Sequence, residues 1–303
     1  MPNTPPRPWK MFIPLGVVLI LAVFWCIYWF AAMGIAQQRF ADEREKLAAK
    51  GVSLDCAMEE WGGFPFHFEF TCGAPVMAVK DRAELRSARL LLVALAYAPW
   101  QVAALIDGPS KFSGSGIAPQ DATHQRIMAV VTYEGDGKAR FSAEVPALAI
   151  AGLGNAEKLM VHSRPSDSGG TDLALSATNL IYQPQGREPF KLDWIDFLGT
   201  LLPDHSLRLD KAELQQGPLR YWGSGTVSLD AEHRIAGRID TETNDLTSLL
   251  DVLKPHLQLT DEQLSGLRVM LGLLGSGAKA PLIAKDGVLY IGPFAAAGLK
   301  PLY

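Results

Sequence analysis

One uncharged stretch constrains this chain more than any other feature. Residues 11–35 read MFIPLGVVLILAVFWCIYWFAAMGI, 25 positions without a charge, and the next charge is Arg39. At about 1.5 Å per residue such a helix is roughly 37 Å long, enough to cross a hydrocarbon core of about 30 Å with some tilt. Trp9 stands before it, and Trp25, Tyr28 and Trp29 lie toward its far end, where amphipathic rings favour the headgroup level. Pro14 falls in the first turn, where its missing N–H has little to lose. A cleaved signal peptide wants an apolar core of about 7 to 15 residues before a small-x-small site. Ala32-Met33-Gly34 and Gly34-Ile35-Ala36 offer such sites, but the core is too long, so the segment reads as an uncleaved anchor.

The predicted organisation follows from that anchor: a cytoplasmic tail over 1–10, a transmembrane helix over 11–35, a charged helical stalk over 36–50 that Gly51 ends, and a β-rich periplasmic domain over 51–303. With 48% apolar and 20% charged residues the chain as a whole has ample material for a core and is not disordered. A formal net charge of -4 supplies no basic face for a nucleic-acid groove, so no nucleic-acid partner is expected.

Charge alone does not orient the span. Arg7 and Lys10 precede it, while Arg39, Arg44, Lys46 and Lys50 follow it among Asp42, Glu43 and Glu45. Cysteines bear on the question instead. Cys26 lies inside the span, leaving Cys56 and Cys72 outside it. Val52, Leu54, Cys56 and Met58 alternate with polar residues, and so do Phe64, Phe66, Phe68, Phe70 and Cys72, which reads as two strands. If they pair with residue numbers summing to 128, Cys56 faces Cys72 and Met58 faces Phe70. A disulfide there would place the domain in an oxidising compartment, the periplasm. Two buried free thiols are the alternative, and no CxxC or paired His suggests a metal.

Residues 90–106, LLLVALAYAPWQVAALI, form the second most apolar piece. Pro99 interrupts them, and two buried strands hinged at that proline are expected rather than a second span. Leu91, Val93, Leu95, Tyr97 and Trp100 are the candidate apolar wall. Glu134-Gly135-Asp136-Gly137 separates strands over 125–133 and 138–145, a turn around 230–233 joins 226–229 to 235–239, and Asp286-Gly287 joins 282–283 to 288–290. Helices are expected over 194–202, 246–253 and 264–274, the last with a capping box at Thr260 and Gln263 and a stop at Gly275. The expected fold class is α+β: a transmembrane helix, then a mostly antiparallel, curved β-sheet domain with a few packed helices.

Trp61-Gly62-Gly63-Phe64-Pro65-Phe66 through Cys72, the hairpin over 225–237, and Asp286-Gly287-Val288 before Ile291-Gly292-Pro293 resemble the domain of unknown function 2125, found in envelope proteins of Gram-negative bacteria. The likeness spans nearly the whole chain. That family has no established activity, so the resemblance implies no catalytic residue. More loosely, the later strands and Leu-rich helices resemble AsmA-like envelope proteins, which implies a link to lipid or outer-membrane biogenesis by analogy of fold only.

No GxSxG, HExxH, phosphate-binding GxxxxGK or CxxC occurs, so catalytic residues, cofactors and metal ligands are expected to be none. His67 and Glu69, two apart in one strand, come closest to an acid/base pair, and solvent-facing alternation explains them equally. Trp61, Phe64, Pro65 and Phe66 form a candidate recognition loop, with aromatic packing at a hairpin end as the plainer reading. The expected function is non-enzymatic: an inner-membrane protein with its bulk in the periplasm, acting as a structural or assembly partner in the cell envelope. The alternatives are a lipid-binding or lipid-transfer module with an apolar concave sheet, and an envelope hydrolase. Its partners would be the inner membrane, through one helix, and a lipid or another envelope protein.

Overall fold

The computed structural model describes residues 12–114, 117–183, 188–245, 281–291 and 294–301, together with 248–249, 265–266, 269 and 279. The chain opens with one continuous helix, α1 (Ile13–Ala49), which absorbs both the apolar run and the expected stalk without a break. Pro14 sits in its first turn, and Gly51, at φ 81°, turns the chain away after Lys50 and Gly51 donate to the carbonyls of Leu47 and Ala48. A left-handed glycine here lets the chain reverse beneath the helix end.

Among the described residues, every element of any length after α1 is a strand. In order these are β1 (Val52–Asp55), β2 (Met58–Gly62), β3 (His67–Gly73), β4 (Val76–Val79), β5 (Ala83–Leu95), β6 (Ala98–Gly114), β7 (Ile117–Thr123), β8 (Ile127–Gly135) and β9 (Lys138–Ile150). They continue as β10 (Gly154–Pro165), β11 (Thr171–Tyr182), β12 (Phe190–Leu201), β13 (Leu207–Gln216), β14 (Leu219–Leu229) and β15 (Ile235–Thr243), then β16 (Leu282–Lys285), β17 (Val288–Ile291) and β18 (Phe294–Gly298). All pairings are antiparallel. From β8 to β18 each strand pairs with the next. Earlier, the long β5 is shared: its first part pairs with β4 and its second with β3. β6 divides likewise between β7 and β8.

The Asp136-Gly137 and Asp286-Gly287 turns take positive φ at both residues, 50° and 72°, then 54° and 75°. That is the twist-matching geometry that short Asp-Gly hairpins favour.

Several expectations are corrected. Residues 194–202 lie largely in β12, not a helix: Ile195 and Phe197 face one side and Trp194, Asp196 and Leu198 the other, a period of two hidden in a Leu-rich stretch. The expected helices over 246–253 and 264–274, with Thr260, Gln263 and Gly275, fall almost wholly outside the described residues. Among described residues α1 is the one helix of any length. The chain breaks at the Ala96-Tyr97 turn, and Pro99 lies inside β6. The first hairpin also shifts by three. β2 and β3 pair with numbers summing to 131, Trp61 opposite Phe70 and Met58 opposite Gly73, and Met58 is exposed. The stretch with Val52 and Leu54 is a separate strand, β1, paired with β4. Cys56 lies between β1 and β2, outside the ladder, and is disulfide-bonded to Cys72 with Cα atoms 5.3 Å apart.

Candidate functional site: the helix seat and the apolar face

The aromatic residues near the end of the apolar run are bound by the domain. Trp25 Nε1 donates to the Pro65 carbonyl at 2.9 Å, Tyr28 Oη to the Ala96 carbonyl at 2.7 Å, and Trp29 Nε1 to the His67 carbonyl at 3.1 Å. Trp29 and Met33 are buried against Phe68 and Ala96. The Trp29 ring meets Phe64 edge-on, and Phe30 stacks on Phe64 at 5.7 Å. Three turns further on, Phe40 packs on Trp61 and Phe70 with centroids 5.5 and 4.6 Å apart. Arg44 stacks over Phe40, donates to the Leu54 carbonyl and pairs with Glu59 at 2.6 Å.

Of the candidate recognition loop, Trp61, Phe64 and Pro65 are therefore the seat of the chain's own helix. Phe66 remains outward, and Phe64 keeps half of its surface exposed beside it. The stalk is not a solvated linker, because Phe40 and Arg44 fix it to β2 and β3. Aromatic pairs in these arrangements add about 0.5–1.5 kcal/mol each beyond their area, so a seat with several of them is a firm joint.

The register defines what the helix sits on. Residues opposite one another in a ladder point to the same face. One row runs Phe70, Leu92, Ala104, Ala129, Ala143, Val161, Leu175, Phe197, Ala212, Gly223 and Thr241, each the partner of the next from β3 to β15. Thr241 is its one polar member. A parallel row starts at Phe68 and Ala94, passes Val102, Val131, Phe141 and Leu173, and reaches Ile239, Leu282 and Ile291, with Ser163 its polar member. Ten strand spacings of about 4.8 Å make this apolar face roughly 48 Å long across the sheet. Beyond the helix its residues are mostly half-exposed, neither buried like Phe70 nor free. Near its far end burial pushes the Tyr221 phenol above its ordinary value, against a hydrogen bond with Thr241.

The opposite face grows polar away from the helix. Glu144 pairs with Lys158, Arg164 with Asp172, and Lys211 with Asp196 and Glu213. Arg126 and then Arg89 hold the Asp107 carboxyl below its usual range, and Lys211 and then Arg220 do so for Glu213. For Asp172 the Ser166 hydroxyl acts first, then Arg164 and Thr200. Of the candidate apolar wall, Leu91, Val93 and Leu95 lie on this second face, because Leu90, Leu92 and Ala94 oppose Cys72, Phe70 and Phe68. Tyr97 and Trp100 are exposed at the β5–β6 turn and just past it.

Serine–histidine pairs occur at two places among the described residues. Ser110 Oγ lies 2.7 Å from His124 Nε2, with Ser87 behind it, and His124 Nδ1 lies 2.7 Å from the Gln125 carbonyl. A carbonyl only accepts, so Nδ1 carries the proton and Nε2 accepts from Ser110. A main-chain carbonyl, not a carboxylate, thus orients the ring, and Ser87 and Ser110 are buried rather than presented to solvent. The second pair is Ser142 with His162 Nδ1 at 2.9 Å, on the polar face. His67 and Glu69 form an exposed pair at 3.1 Å. No group of three or more His, Cys, Asp or Glu that could hold a metal occurs among the described residues.

Fold and site define a class: a single antiparallel sheet with one apolar face, carried on a helix long and apolar enough to cross a membrane. The family follows from comparison. A model described as "Uncharacterized protein conserved in bacteria (DUF2125)" matches residues 29–299, and the chain belongs to that family. The match starts at Trp29, so the docked upper part of α1 falls within it. Comparison with curated proteins and with solved structures gave no match.

Proposed function

We propose that this chain is a single-pass inner-membrane protein whose periplasmic sheet holds lipid acyl chains on its apolar face, without catalysing a reaction. The observation that carries this reading is the row from Phe70 to Thr241, eleven partnered positions with one polar residue, set against ion pairs on the other face. A sheet with one such face must cover it with something apolar. The row begins at the helix. A groove there has Tyr28, Ala32, Ala36 and Phe40 along one wall and Leu92, Ala94 and Val102 along the other. It would let a chain pass from the bilayer beside α1 onto the sheet. The Cys56–Cys72 disulfide supports an oxidising compartment. The looser AsmA-like likeness is carried by sequence pattern alone.

The test compares phospholipid retained by the purified full chain after exhaustive exchange into detergent with that retained by a Val161→Asp, Leu175→Asp double variant of unchanged circular dichroism. Less lipid on the variant supports the reading, and equal retention contradicts it. A structural or assembly role in an envelope complex would use the same half-exposed face. A defined protein, rather than lipid, crosslinked at Val161 or Leu175 would favour that role.

A further inference from the structure

We propose that the loop over 63–66 and the turn over 95–100 form a collar inserted in the outer interface of the bilayer that α1 crosses. The collar rests on the reading of α1 as a span and adds where the bilayer ends. A hydrocarbon core of about 30 Å that begins near Phe12 takes about 20 residues of helix and ends near Ala31. Domain contacts start lower, at Trp25. The segments bonded to Trp25, Tyr28 and Trp29 are thereby placed at the depth where acyl chains meet headgroups.

Their composition suits that depth. Phe64, Phe66, Tyr97 and Trp100 are 51%, 59%, 62% and 54% exposed, a concentration of outward aromatics beside the helix. Neither segment contains Asp, Glu, Lys or Arg. An apolar groove continues down the helix from Phe64 and Phe66 past Trp25 to Leu21 and Val18. Backbone satisfaction is the second, independent observation. Loop carbonyls ordinarily face water, yet those of Pro65 and Ala96 take an indole N–H and a phenol O–H from α1, and just past the loop the carbonyl of His67, the first residue of β3, takes the Trp29 indole N–H. The Phe66 carbonyl accepts from Ala96 N and the Gly63 carbonyl from His67 N. Loops without water must have their polar groups met by protein, and here the helix meets them.

The collar also explains Gly63. At φ 102° it bends the loop against β3, and a Cβ there would strike the His67 carbonyl that Trp29 holds.

The test uses the full chain, with Cys26→Ala and the disulfide intact, in phosphatidylethanolamine–phosphatidylglycerol vesicles. Single Phe66→Cys, Tyr97→Cys, Leu19→Cys and Lys158→Cys variants carry an environment-sensitive fluorophore. The collar predicts that probes at 66 and 97 are quenched by a shallow nitroxide lipid and are several-fold less quenched by iodide than the probe at 158. If they match 158 while 19 stays lipid-quenched, the collar is wrong and the span stands. If 19 is also open to iodide, both fall.

Discussion

At the scale of single residues, Trp29 is the side chain on which most depends. It is 5% exposed, its N–H holds the His67 carbonyl, and its ring lies between Phe64 and Phe68. Trp29→Ala should weaken helix docking by about 3 kcal/mol or more, the usual cost of deleting a large buried aromatic. Limited trypsin digestion of the full chain in micelles reads this as new cleavage at Arg39 and Arg44. Tyr28→Phe loses one hydrogen bond, about 1 kcal/mol, and should leave the digestion pattern nearly unchanged. Equal sensitivity of the two variants would mean that the joint lies elsewhere. The importance of these rings was legible in the sequence as a girdle; that their polar atoms bond domain carbonyls was not, because it depends on contacts 38 to 68 residues apart.

At the scale of elements, the Cys56–Cys72 bridge closes a 16-residue separation and ties the segment before β2 to β3, beneath Phe40 of α1. A loop of that size stabilises by about 3 kcal/mol in the chain-entropy model, so Cys56→Ser with Cys72→Ser should lower the melting temperature by several degrees. An unchanged melt would show that α1 alone fixes this corner. The strands themselves were readable where Asp-Gly turns punctuated period-two alternation, as in β8–β9 and β16–β17. They were misread where Leu-rich segments satisfied both periods, as in β12. Register was the blind spot. Alternation says that Val161 and His162 face opposite ways, but only the ladder says which one shares a face with Phe70, five pairings away across the sheet, and a one-residue slip reverses the answer. The candidate wall at Leu91, Val93 and Leu95 went to the face opposite Phe70 for that reason.

At the scale of the whole molecule, the two faces differ in charge, one laced with ion pairs and the other apolar. The carboxyls of Asp107, Asp172 and Glu213 lie below their ordinary values of 3.8, 3.8 and 4.5 in the folded chain. A depressed folded value gives stability that is full above the unfolded value and is lost as pH falls toward the folded one. The melting temperature should therefore hold down to about pH 5 and drop below about pH 4, and Asp107→Asn should flatten part of that drop. A protein whose stability rose on acidification would contradict the ion-pair account of this face. The apolar face has no such dependence, and its meaning rests on what covers it. A phospholipid with a photoreactive acyl chain, supplied in the membrane that holds the full chain, tests this most directly. Mass spectrometry after illumination should place adducts on alternate residues of one face, at Val131, Val161, Leu175 and Ile239, and not at Val130, His162, Ala174 or Arg238. Adducts confined to α1, or spread equally over both faces, would contradict the account.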